Sequence, residues 1–124
     1  QTRAFCYITD AAAGTVMAME NENSDQEIYH MGSPEEITIE ELTKTVGKMM
    51  GYKGEYKTAP TYPGSVSRRC PDISKSIKNL GYAPKVHWKD GLEETVSWYT
   101  DFYKLGQPIY SGGFKAPDEL SYKG

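Results

Sequence analysis

Histidine and cysteine are scarce in this chain, and neither occurs in a pattern that metal or nucleophilic chemistry would need. Among 124 residues there are two histidines and two cysteines. His30 lies between Tyr29 and Met31, and His87 between Val86 and Trp88, with no second ligand close in sequence, so packed or edge histidines are expected rather than metal ligands. Cys6 falls in a strand-like run and Cys70 beside Pro71, with no C-x-x-C spacing, which reads as two free thiols. Positive charge is not in surplus either. Fourteen basic residues against seventeen acidic ones leave a net charge of -3, and neither sign gathers into a long block, which excludes nucleic acid as a partner. No apolar run approaches the roughly 18 to 20 residues of a membrane span, and the opening residues lack the basic and apolar regions of a secretion signal, so no membrane partner and a cytoplasmic location are expected.

Motifs of self-contained chemistry are missing as well. There is no G-x-G-x-x-G, no phosphate-binding P-loop, no H-E-x-x-H and no G-x-S-x-G elbow, and none of the ten tyrosines is followed four residues later by a lysine. The acidic pairs Glu35–Glu36, Glu40–Glu41 and Glu93–Glu94 lie in or near first helical turns, where the helix dipole favours negative charge, and read as capping groups rather than acid/base dyads. No complete active site, and no cofactor bound by this chain alone, is expected.

What is present is one α/β unit of about four helices and two or three short strands. The run through Phe5, Tyr7 and Ile8 predicts a strand ending at Asp10, which would cap the helix AAAGTVMAME. QEIYHMG predicts a strand closing on Gly32, and SPEE a turn. TIEELTKTVGKMMG is the clearest helix: Thr38 and Glu41 form a capping box, Ile39, Leu42, Val46 and Met49 share a face, and Gly51 ends it. GEYKTAP would then complete a β-α-β unit with parallel strands. After the loop TYPGSVSRRCP, Asp72 caps ISKSIKNLG, with Ile73, Ile77 and Leu80 on one face and Gly81 ending it. KDGLEETVSWYTDFYKLG carries two apolar stripes, one through Leu92, Val96, Tyr99 and Tyr103 and the other through Trp98, Phe102 and Leu105. Residues 1–106 form the folded lobe in this division, and 107–124, with two prolines and three glycines before any periodicity, an irregular tail. So few strands cannot make the open sheet such helices pack on, so apolar surface, above all on the first helix, should belong against a missing partner.

The residues that could hold an anion are Gln1 and Arg3 in the first strand and Arg68 and Arg69 in the loop before Asp72. Planar guanidinium groups grip phosphate oxygens bidentately, and arginines from two separate segments could pinch a pyrophosphate from both sides. The plainer alternative is that Arg3 is a solvated edge charge and Arg68 and Arg69 a solvated pair.

QTRAFCYITDAAAGTVMAM, IYHMGSPEEITIEEL and RRCPDISKSIKNLGYAPKVHWKDGLEETVSWY, in that order, closely resemble the C-terminal part of the extended short-chain dehydrogenase/reductase family, the nucleotide-sugar epimerases, dehydratases and decarboxylases. The likeness runs from Gln1 to about Tyr99. Within it, QTRAF, PEEITI and R-x-P-D look most similar to the UDP-glucuronate decarboxylase branch. Where many members carry R-P-G-D, this chain has Tyr62, Pro63, Gly64 and Ser65, and His30 stands where asparagine is usual.

The resemblance implies a small C-terminal substrate-binding lobe of a Rossmann-type enzyme, whose NAD-binding domain, with its glycine-rich loop and catalytic Tyr-x-x-x-Lys, is absent from this chain. It implies a nucleotide-diphosphate sugar as ligand, a UDP-sugar by preference, with Arg3 and Arg69 reaching its phosphates, Gln1 beside them and Asp10 at the motif's aspartate. The partner would be the N-terminal Rossmann domain of the same protein, in a parent that would be a homodimer and would hold NAD to oxidise the sugar at C4 before hydride returns. A start at Gln1, in the middle of a motif and without methionine, fits a piece of something longer. The alternative is a stand-alone, non-catalytic module binding a nucleotide or a protein, and a third reading is a self-associating scaffold.

Overall fold

Thr2–Ala4 forms strand β1, the central member of a three-stranded sheet in the computed structural model, which describes residues 1–105. The predicted tail from Gln107 lies outside the described residues. On one side β1 pairs antiparallel with β2, Glu36–Thr38, in the register Thr2 to Thr38, Arg3 to Ile37 and Ala4 to Glu36. On the other it pairs parallel with the two-residue β3, Arg68–Arg69, in the register Thr2 to Arg68 and Arg3 to Arg69. The helices are α1, Ile8–Glu20, α2, Ile39–Met49, α3, Ser74–Leu80, and α4, Trp88–Leu105, with a short 3-10 turn at Glu22–Ser24. The α/β class, the four helices and the count of strands are as predicted. The strands themselves are not.

The predicted β-α-β unit does not form. Neither QEIYHMG nor GEYKTAP is a strand, and the two strands beside β1 come from EIT and from the double arginine instead. The backbone of the first stretch spends its acceptors on side chains: the His30 carbonyl takes the Ser76 hydroxyl at 2.6 Å, and the Gly32 carbonyl takes the Tyr82 hydroxyl at 3.1 Å. A segment whose carbonyls are satisfied this way has no need of a ladder.

Helix α1 begins at Ile8, two residues before the predicted cap. Tyr7 occupies the N-cap position without a side-chain hydrogen bond, and Asp10 stands in the first turn. The residue is only 7% exposed, and its carboxylate accepts the backbone N–H groups of Lys85 at 3.0 Å and Val86 at 2.9 Å, fastening α1 to the segment that enters α4. Four residues on, Gly14 lets α1 approach Tyr82 so closely that a Cβ there would lie 2.8 Å from the Tyr82 ring and from the Met31 sulfur.

Helix α2 starts as expected, with the Glu41 N–H donating to the Thr38 hydroxyl at 3.0 Å. The Glu41 carboxylate does not close the capping box; its nearest cation is Lys89 on α4, at 3.9 Å. The Asp72 carboxylate accepts the Ser74 N–H at 2.9 Å at the start of α3 and is held below the usual aspartate range by its bonds to Ser74. On α3, Ile73 just before the helix is buried but Ile77 is exposed, and the fully buried position is Ser76, whose hydroxyl is occupied by the His30 carbonyl.

Ile37, Ile73, Tyr82 and Trp88 make the apolar core, with α2 packed against β2 and α4. Outside it, α1 leaves Ile8, Val16, Met17 and Met19 exposed, with Met19 at 80%, and the second half of α4 leaves Trp98, Tyr99 and Tyr103 exposed. Apolar surface of this kind on the first helix was expected. Cys6 and Cys70 are free thiols, and no described helix is long and apolar enough to cross a membrane.

Candidate anion-binding site

Side chains alternate across a strand, and residues in register on neighbouring strands point to the same face. The pairing of β1 with β3 therefore sets Arg3 beside Arg69 on one face, with backbones one strand spacing apart, about 4.8 Å, although they are 66 positions apart in sequence. The same alternation sends Arg68 to the other face. There its guanidinium holds both oxygens of Glu36, with Nη2 2.8 Å and Nε 3.0 Å away, while the Thr2 hydroxyl donates to the same carboxylate. The Thr2 bond and the Arg68 bond together keep Glu36 below the ordinary carboxylate range. The two adjacent arginines thus divide: Arg68 is neutralised, and Arg69 is exposed with no ion-pair partner among the described residues.

Arg3 is half-buried and differently engaged. Its Nη1 donates to the Thr2 carbonyl at 2.6 Å and its Nη2 to the Val66 carbonyl at 2.9 Å, with longer approaches of 3.5 Å to the Ser67 carbonyl and to Gln1 Oε1. Carbonyl oxygens satisfy N–H groups without cancelling the charge. Gln1 donates through Nε2 to the Ser65 hydroxyl at 2.9 Å, and its carbonyl accepts the Ile39 N–H. The Thr2 N–H donates to the Ser67 carbonyl at 2.9 Å. All three residues of the opening QTR are thus tied to the strap Ser65–Ser67.

That strap is launched by a tight turn. Tyr62-Pro63-Gly64-Ser65 closes with the Ser65 N–H on the Tyr62 carbonyl at 3.2 Å, with Gly64 at φ +85°. Proline at the second position and a positive-φ glycine at the third are the requirements of a type II turn. Ser65 and the strap carbonyls were not singled out from sequence. The proline-glycine pair marks the turn; nothing in the chain's order shows which strand it would land on.

Like charges side by side on a strand pair repel, and an anion lying between them turns that repulsion into attraction. Register places Arg3 on the central strand beside Arg69 on β3, with Gln1 two residues before Arg3. Asp10 is not part of this group, being occupied with the backbone at Lys85 and Val86. His87 pairs with Glu35 at 2.8 Å, and His30 lies 3.3 Å from the Asp72 carbonyl, so both serve local structure. An open groove of about 650 Å³ between α2 and α4 lies elsewhere, lined among others by Lys44, Lys48, Lys89, Glu40 and Glu41, whose mixed charges converge on no single point.

The chain is 38% identical over 92 residues to UDP-glucuronic acid decarboxylase 3 of Arabidopsis thaliana, matching 74% of this chain and 26% of that protein. It is 35% identical over 97 residues to GDP-L-fucose synthase 1 of the same plant, matching 78% of this chain and 29% of that one. In structure it superposes on the UDP-glucuronic acid 4-epimerase of Bacillus cereus, solved with UDP-glucuronic acid and NAD, with a TM-score of 0.76 and 32% identity over 83% of this chain and 33% of the other. The relatives and structural neighbours that the chain matches are nucleotide-sugar enzymes of the extended short-chain dehydrogenase/reductase family, each matched over part of its length. No family model matches the chain. It spans about a quarter to a third of the length of these extended reductase relatives.

A dinucleotide is held in this family's fold class by a glycine-rich turn between a strand and a helix N-terminus. Among the described residues the links from β1 to α1 and from β3 to α3 contain no glycine, and β2 runs directly into α2. These links among the described residues therefore do not fit NAD.

Proposed function

We propose that this chain is the C-terminal substrate-binding lobe of an NAD-dependent nucleotide-sugar-modifying enzyme, of the UDP-glucuronate decarboxylase, 4-epimerase or 4,6-dehydratase type, and that it holds the diphosphate of the sugar nucleotide. The observation that carries this is the register of Arg3 with Arg69. The lobe's own contribution is positioning: Arg3 and Arg69 grip the phosphate oxygens from adjacent strands, Gln1 stands two residues before Arg3, and the sugar is thereby fixed relative to catalytic groups supplied by the Rossmann domain. A UDP-sugar is the favoured ligand and the decarboxylase branch the favoured type, on the strength of QTRAF, PEEITI and R-x-P-D. The exposed apolar face of α1 supports a lobe that is completed by that other domain. Free thiols at Cys6 and Cys70 suit a cytoplasmic setting.

The test is calorimetric titration of the complete protein with UDP, GDP and dTDP. UDP should bind tightest, and Arg3→Ala and Arg69→Ala should each weaken it at least tenfold, which corresponds to about 1.4 kcal/mol. Unchanged UDP affinity in Arg69→Ala refutes the assignment.

A further inference from the structure

The geometry points to a second duty for Arg3: it is the positioning residue that fastens the strap Ser65–Ser67 to β1 and so sets the place of Arg69. This rests on the diphosphate cradle proposed above and assigns different roles to its two arginines. The strap has no helix or long strand to define it, and β3 is two residues long. Its attachment consists of the Gln1 to Ser65 bond, the Thr2 N–H to the Ser67 carbonyl, and the Arg3 guanidinium reaching the Val66 carbonyl at 2.9 Å and the Ser67 carbonyl at 3.5 Å. Arg3 simultaneously holds its own strand through the Thr2 carbonyl at 2.6 Å, so one planar group staples β1 to the strap that leads into β3.

A guanidinium has five N–H donors in a fixed fork. The contacts above use the Nη groups, and the Nε–H makes no hydrogen bond among the described residues. Arg3 can therefore keep the strap in place and still offer a donor to an anion. A lysine at this position has a compact ammonium on a flexible stem and cannot reproduce the bridging plane. At Arg69, which is exposed and makes no ion pair among the described residues, a point charge suffices.

The two roles separate in one set of variants of the complete protein: Arg3→Lys, Arg3→Ala, Arg69→Lys and Arg69→Ala. Without ligand, amide exchange at residues 65–69 should accelerate at least tenfold in both Arg3 variants and stay unchanged in both Arg69 variants, with exchange across α2 and α4 as the control for folding. With UDP and with inorganic pyrophosphate as probes, Arg69→Lys should stay within about threefold of the parent affinity and Arg3→Lys should fall at least tenfold. Unaltered exchange at 65–69 in the Arg3 variants overturns the proposal, as does an Arg3→Lys variant that binds both probes like the parent while Arg69→Ala loses them. Accelerated exchange with undiminished UDP affinity in all four variants upholds the staple and refutes the diphosphate reading instead.

Discussion

Replacing Asp10 with alanine should cost this fold about 3 kcal/mol, an amount fixed by two hydrogen bonds and by burial. The residue is 7% exposed, and one carboxylate oxygen accepts two backbone N–H groups, from Lys85 and Val86, at 3.0 and 2.9 Å. Each hydrogen bond to a charged group contributes about 1.5 to 3 kcal/mol, and removing the acceptor leaves both donors without a partner in a half-closed space. Losing a carboxylate from the first turn of α1 forfeits about 0.3 to 1 kcal/mol of dipole stabilisation, while alanine returns a comparable amount in helix propensity, so those two effects nearly cancel. With a urea m-value of about 1.5 kcal/mol/M, the expected loss moves the unfolding midpoint down by about 2 M. Asp10→Asn keeps an oxygen where both amides point and should lose less than half as much. Urea titration followed by tryptophan fluorescence reads this directly, because Trp88 opens α4 just beyond the tethered segment. A loss below 1 kcal/mol for alanine, or equal losses for alanine and asparagine, would show that the tether is not what joins α1 to α4.

Gly14→Ala should destabilise by about 1 to 2 kcal/mol despite alanine's better helix propensity, since the added methyl meets a Tyr82 ring with no room to turn and overpacking costs about 1 to 3 kcal/mol; thermal unfolding of the variant checks it, and a raised midpoint would contradict it. The Glu36 carboxyl titrates lower in the folded chain than in the unfolded one, first through Thr2 and then through Arg68. Its contribution is therefore complete above the unfolded value of about 4.3 and is lost as the pH falls through the lower folded value. Denaturation midpoints measured from pH 6 to pH 2 should show an acid limb that is shallower in Glu36→Gln, and identical limbs would count against the Thr2–Glu36–Arg68 triad.

Helices were legible where local signals agree with packing. Thr38 caps α2 and bonds the Glu41 amide as its position promises, whereas the N-cap of α3 is Ile73 and the expected cap Asp72, one residue earlier, bonds the Ser74 amide. The start of α1 was misplaced by three residues because FCYI has strand composition, and because Asp10 is claimed by a backbone 75 positions away. Strands of two or three residues are defined by whom they pair with, and pairing is a tertiary fact; the arginine pair carries no apolar alternation from which a strand could have been inferred. Gln1, Arg3 and Arg69 could be nominated from residue chemistry and family likeness. The divergence of Arg68 from Arg69 could not, since it follows only once those two residues are known to be strand, with alternation turning one toward Glu36.

Because β1 occupies the middle of the sheet, both of its neighbours must find the first four residues of the chain. β3 does so across a contact of sixty-six positions, between Thr2 and Arg68. Closing a loop of that size is entropically slow work with only a two-residue ladder as its reward, so the proposed diphosphate cradle should assemble late, after α2 and α4 have docked. Maturation of the anion pocket would then lag behind the appearance of helical signal in a refolding experiment, and a chain caught in that interval would be helical yet unable to recognise phosphate.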